Sequence, residues 1–163
     1  MTVTIRTLTG ADAPAFRALR MQALAAHPEA FGNAPEDEAA TPIAETARWL
    51  DGDPVFAAVE GDRILGVAGF VAERKVKLRH KGTLWGMYVR PEARRQGIAG
   101  RLIDAVLDHA RGRVESVHLK VAGSNSGARR LYERKGFAAY GLEPNALKLD
   151  DRYEDEVMMA RAV

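Results

Sequence analysis

Cysteine is absent from the 163 residues, which excludes disulfides, thiolate-held metal sites and a cysteine nucleophile. Histidine is scarce, and the four present (His27, His80, His109 and His118) never fall at a metal-binding spacing such as HExxH, so no metal is expected. Nowhere do about 18 apolar residues run together, so no membrane partner is expected either. The opening MTVTIRTLTGADAPAF has no basic segment followed by an apolar run; it does not read as a signal peptide, and a cytoplasmic protein is the default. Internal repeats, low-complexity tracts and linkers are missing too. With 47% apolar and 28% charged residues, what remains has the composition of one globular domain over residues 1–163 with a sizeable core.

The net charge of +2 is unevenly spread. Between Arg74 and Arg113 eleven Lys or Arg face three acids, whereas from Gly141 onward six acids face three basic residues. A basic middle suits a polyanionic partner, either a phosphorylated cofactor or nucleic acid. Nucleic acid is disfavoured, because RKVKLRHK carries no aromatics for stacking bases and no RNP, KH or zinc-finger pattern occurs.

Along the chain, TVTIRTL alternates like a strand, and Pro14 to Ala26 places Phe16, Leu19, Ala23 and Leu24 on one helical face. After the polar loop GNAPEDEAA, Thr41-Pro42 reads as the start of a second helix ending near Leu50. PVFAAVE and RILGVAGFVAE flank the turn Gly61-Asp62, and TLWGMYV follows the basic loop as another strand. Gly97 to Arg111 is amphipathic, with Leu102, Ile103, Val106 and Leu107 as its buried stripe. ESVHLKV, a helix from Ser126 closed by Gly136, FAAYG and the hairpin LKLDDRYEDEVMMAR complete the order. With helices that fail to alternate regularly with strands, mixed α/β with a partly antiparallel sheet fits better than a doubly wound fold.

The most informative stretch is LWGMYVRPEARRQGIAGRLIDAVL. A strand ends at Val89, Pro91 stops it, and the small-residue turn from Gln96 to Gly100 opens a helix whose first amides lack internal partners. Phosphate oxygens satisfy such amides where the side chains are small, and Arg94, Arg95 and Arg101 add charge. The turn is neither a Walker A loop nor GxGxxG.

Arg94-Arg95-Gln96-Gly97-Ile98-Ala99 matches the (Q/R)xxGx(G/A) signature of the GCN5-related N-acetyltransferases, and VAGSNSGARRLYERKGF resembles their second segment, NxxAxxLYxxxGF, at Asn125, Ala128, Leu131, Tyr132, Gly136 and Phe137. PEAFG with EPNALKLDDRYEDEVMM resembles a common bacterial branch of that superfamily, a likeness that brings no acceptor with it. The resemblance implies a mixed, mostly antiparallel sheet of about seven strands flanked by four helices. It also implies acetyl transfer from acetyl-CoA to an amine-bearing acceptor by direct attack. Met87, Tyr88 and Val89 would pair with the pantetheine arm, and Gln96, Gly97, Ile98, Ala99, Gly100 and Arg101 would hold the pyrophosphate. Asn125, with Ala128 nearby, would hydrogen-bond the pantetheine region, and Tyr132 would protonate the leaving thiolate.

One position departs from the family. Many relatives place a glutamate base four residues before Met87, where this chain has Thr83. Glu73 and His80 are the substitutes in reach, acting through water. Acceptor recognition would fall to Phe31, Asn33 and Glu36, with Tyr153 and Asp155 from the final hairpin. The missing glutamate leaves a non-catalytic acyl-CoA sensor as the alternative. Relatives frequently dimerise, so a homodimer is expected.

Overall fold

The computed structural model describes residues 2–163. Seven strands form one sheet: β1 (Thr4–Thr7), β2 (Val55–Glu60), β3 (Arg63–Ala72), β4 (Lys81–Val89), β5 (Ser116–Ala122), β6 (Ala138–Leu149) and β7 (Arg152–Ala162). Their order is β1-β2-β3-β4-β5-β7-β6, and every pairing is antiparallel except β4 with β5. Helices α1 (Ala13–Ala26), α2 (Pro35–Ala40) and α3 (Ile43–Leu50) precede β2; α4 (Ile98–Ala110) joins β4 to β5, and α5 (Ser126–Arg134) follows β5. The mixed, mostly antiparallel sheet expected from the sequence is the one formed. Among the described residues no helix is long and apolar enough to cross a membrane.

Two apolar layers hold the sheet. The α4 stripe of Leu102, Ile103, Val106 and Leu107 is fully buried against Phe70, Leu84, Val117 and Leu119. On the opposite face α1 packs Phe16, Leu19 and Ala23 onto Val67 and Tyr88. Each buried leucine contributes about 2 kcal/mol by leaving water.

Two local structures differ from expectation. PEDEAA, read as loop, forms α2, because Pro35 suits a first helical position and the Asp37 carboxylate accepts the Ala34 amide at 2.8 Å. FAAYG and LKL, read as separate strands, belong to the single strand β6. Its pairing with β7 slips between Glu143 and Leu147, and Asn145 absorbs the kink in the left-handed region at φ +51°.

The first turn is tied to β1 by Asp12, which accepts both Arg6 guanidinium nitrogens (2.9 and 2.8 Å) and the Thr9 amide (2.8 Å). These bonds, the Arg6 pair foremost, hold its carboxyl well below the usual range, at about 2. A depressed carboxylate contributes stability above its unfolded value and loses it as pH falls through the folded one. Asp12→Asn should therefore cost about 1 kcal/mol at pH 7 and only a fraction of that at pH 2, where the folded carboxyl is about half protonated, as read by denaturant midpoints at the two pH values.

Candidate active site

β4 and β5 run side by side for three residues only: Lys81 with Ser116, Gly82 with Val117 and Thr83 with His118. Beyond Thr83 they part. β5 is held along its whole length by β7, from Ser116 opposite Ala162 to Ala122 opposite Glu156. β4 instead follows β3, where Ala68 stands across from both Gly86 and Met87, an extra residue that bends β4 and adds twist. Gly86 adopts φ +67° at this bulge, a conformation that glycine takes without steric cost.

The far side of the gap is pinned from β7. Glu154, only 8% exposed, accepts the Ser124 amide at 3.1 Å and the Ser124 hydroxyl at 2.6 Å, and the Asp155 carbonyl accepts the Gly123 amide at 2.8 Å. Asn125 caps α5, its Oδ1 accepting the Ala128 amide at 3.1 Å. Asn125 also lines the cleft, and its side-chain nitrogen has no hydrogen-bond partner among the described residues.

A cleft of about 580 Å³ fills the gap, walled by β4 from Leu84 to Val89 and by Asn125, Ala128 and Tyr132 of the α5 segment. At its end lies the start of α4. Arg95 (φ +62°) and Gly97 (φ +74°, ψ 6°) are both left-handed, so the turn curls into a concavity lined by amides. The first backbone bond of the helix is Arg101 N–H to the Gly97 carbonyl at 3.1 Å, and the amides of residues 95–100 have no protein acceptor among the described residues. Nothing lies within 4 Å of where a Gly97 side chain would project. A diphosphate with an extended arm fits these features: oxygens on the amides, the arm along the unpaired edge of β4. The Tyr88 hydroxyl, buried without a partner, is a further polar atom on the same cleft wall.

Tyr132 lies deep in the cleft, 6% exposed and edge-on to Phe137 at 5.8 Å. Burial pushes its phenol well above the ordinary value, so it is a proton donor throughout the neutral range. Arg94 takes a different post from a free phosphate ligand: it donates to the Val89 carbonyl at 3.0 Å, meets His27 Nε2 at 3.1 Å and covers the Tyr88 ring. Arg101 donates to the Val3 carbonyl at 3.0 Å, and the Ile98 side chain is in the core, so of these two only the backbone faces the turn.

A second cavity, about 610 Å³, opens on the α1 side of the sheet and shares Phe31, Leu84, Trp85, Gly86 and Lys120 with the first. Of the expected acceptor residues, Phe31 and Asn33 line it and Glu36 does not. Tyr153 and Asp155 are also outside both cavities: Tyr153 is on the exposed hairpin under Lys148, and the Asp155 carboxylate accepts the Asn145 amide at 2.8 Å. Glu73 reaches the cavity as an exposed carboxylate. His80 is exposed and lines neither cavity; its carbonyl accepts the Glu115 amide at 2.7 Å.

The sequence did not single out Arg20, Trp85, His118 or Tyr140, all of which line this cavity. Arg20 and Glu38 are buried together at 3.3 Å, with the guanidinium over Phe31 and Trp85. A charged residue on the inner face of an otherwise apolar helix was the available signal. Among the described residues no cluster of three His, Asp or Glu could hold a metal.

The family model described as Acetyltransferase (GNAT) family matches residues 18–137. The chain belongs to this acetyltransferase family. A mycothiol acetyltransferase from Beutenbergia cavernae is 33% identical over 148 residues, 85% of this GNAT chain and 48% of the relative, so the chain spans about half the length of that relative. A ribosomal protein bS18-alanine N-acetyltransferase from Escherichia coli is 30% identical over 117 residues, 66% of this chain and 78% of its own. Among solved structures, a GNAT phosphinothricin acetyltransferase from Sinorhizobium meliloti, in complex with acetyl-CoA, superposes with a TM-score of 0.84 at 22% identity. That match covers 100% of this chain and 89% of that one, and it establishes the shared fold.

Proposed function

We propose that this GNAT protein transfers an acetyl group from acetyl-CoA to the primary amine of a small molecule or peptide, in the cytoplasm. One observation carries the reading: a cleft between parted strands runs from a turn of unpartnered amides to a junction with a second cavity. The first compartment suits coenzyme A, the second an amine, and the shared wall at Leu84 to Gly86 is where thioester and amine would meet. The name of one relative points to an amine on a protein and that of the other to mycothiol, which supports this breadth of acceptor.

The residues divide the work as follows. Amides 95–100 hold the pyrophosphate, Met87, Tyr88 and Val89 line the pantetheine arm along the open edge of β4, where the Val89 carbonyl is already taken by Arg94, and Asn125 supplies a side-chain amide. The amine attacks the thioester carbon directly. Tyr132, kept protonated by burial, gives its proton to the departing sulfur. Exposed Leu142 and Tyr153 at the β6–β7 end of the sheet support a homodimer, which sedimentation would reveal as twice the 17.8 kDa mass.

Incubation with acetyl-CoA and a panel of primary amines tests the proposal through released thiol. Thiol release that depends on one class of amine is the expected result. Tight acetyl-CoA binding with no release for any amine would replace the enzyme with a sensor, the outcome that Thr83 in place of a carboxylate allows.

A further inference from the structure

We infer that His118 accepts the first proton from the acceptor's ammonium group, an inference that rests on the acetyl-transfer reading above. An alkylammonium has a pKa of about 10.4, so offering a neutral amine at pH 7 costs roughly 4 to 5 kcal/mol, and a nearby acceptor for the proton lowers that barrier. Thr83 cannot be that acceptor. His118 is its direct neighbour: the two face each other in the last β4–β5 pair before the strands part, and both line the acceptor cavity.

The ring is set up to take a proton and pass it on. Nε2 lies 3.0 Å from the Ser116 hydroxyl and Nδ1 3.3 Å from the Tyr140 hydroxyl, so each nitrogen meets a group that can donate or accept. Among the described residues no carboxylate bonds either nitrogen to hold the imidazole in its charged form. Burial first, then Lys81 and His80, keep its pKa below the ordinary value, leaving it neutral at pH 7. The other charged groups lining this cavity are Lys120 of its own strand, Glu156 of β7, Lys81 in the paired stretch of β4 with Glu73 beside it, and the buried Arg20–Glu38 pair on the helical side. Tyr140 is 58% exposed and edge-on to His118 at 5.6 Å, which gives the proton an exit to water.

The protons balance. One leaves the ammonium for His118 and goes on through the Tyr140 hydroxyl to solvent. The freed amine forms the C–N bond, the C–S bond breaks, and sulfur takes the Tyr132 proton. The second proton, made acidic on the acylated nitrogen, restores Tyr132. Amide, thiol and one released proton result.

The test is the pH dependence of kcat/KM between pH 5.5 and 10 for the wild type and His118→Gln, using thiol release with an amine accepted by the wild type. The variant should lose about 100-fold at pH 7, and the gap should shrink to within about threefold near pH 10, where more than about a quarter of the amine is neutral unaided. Coenzyme A affinity by calorimetry should be unchanged. In the wild type the acidic limb should coincide with the titration of His118 followed by NMR, below 6.5. A loss of constant size at every pH would make His118 merely structural and overturn the inference, as would a limb displaced from its NMR titration. The closing gap appearing in Glu73→Gln or Glu156→Gln instead would move the role to that carboxylate. Absence of thiol release by the wild type with any amine overturns the transfer reading itself, and this inference with it.

Discussion

Gly97→Val is expected to abolish coenzyme A binding, with affinity falling more than about 100-fold (about 2.7 kcal/mol) in calorimetry. Two effects contribute. At φ +74° a β-branched residue is strained by about 1–2 kcal/mol. The larger effect is steric: beyond its chain neighbours nothing lies within 4 Å of an added Cβ, so the valine methyls would fill open space at the turn, where the diphosphate would sit. Gly112 separates the two. It also has a positive φ (+77°) and open space around it, but lies in the turn after α4, far along the chain from the cradle. Gly112→Val should show the same small drop in Tm, a few degrees, and bind coenzyme A normally. Normal binding by Gly97→Val, or equal loss in both variants, would remove the α4 turn from its proposed role.

Tyr132→Phe should lower kcat by about 100- to 1000-fold while leaving coenzyme A affinity within about twofold. The ring remains, and with it the packing on Phe137, so the midpoint of unfolding at pH 7 should barely move. What disappears is the one buried hydroxyl donor of α5 in the cleft. Because burial raises the phenol pKa, the neutral form stabilises the fold fully below the ordinary value of 10, and that stability is lost as pH rises beyond it. The variant should therefore gain stability relative to wild type between pH 9 and 11. Unchanged turnover in the variant would end the assignment of Tyr132 as the acid.

Much of this architecture was legible from residue order. The α4 stripe, the α1 face and the glycine turn are local patterns, in which spacing along the chain dictates what a helix buries or leaves open. Tyr132 was placed by its distance from that turn, through the resemblance. The acceptor side was far less legible, because it is assembled by pairing between distant segments. His118 gains meaning only from its register opposite Thr83, and Tyr140 only from β6 lying beyond β7. Arg20 and Glu38 are eighteen positions apart in sequence, and their burial together depends on a helix, α2, that the acidic composition of PEDEAA disguised. The final hairpin was chosen for its acids, but alternation turns Glu154 inward as a brace and leaves Tyr153 and Asp155 outside. Charge in a hairpin says little until its register is known.

The brace formed by Glu154 has a thermodynamic consequence. Because protein groups already saturate the turn after β5, the entropy of shaping the groove is spent during folding, and a visiting nucleotide thioester meets a ready-made slot. Amide hydrogen exchange should accordingly slow at residues 95–100 on addition of coenzyme A, while β5 and β7 exchange at the same rate with or without it. Cutting the brace, as in Glu154→Ala, which removes the oxygen that accepts both Ser124 bonds, would shift that ordering into the encounter and show up as a slower association rate.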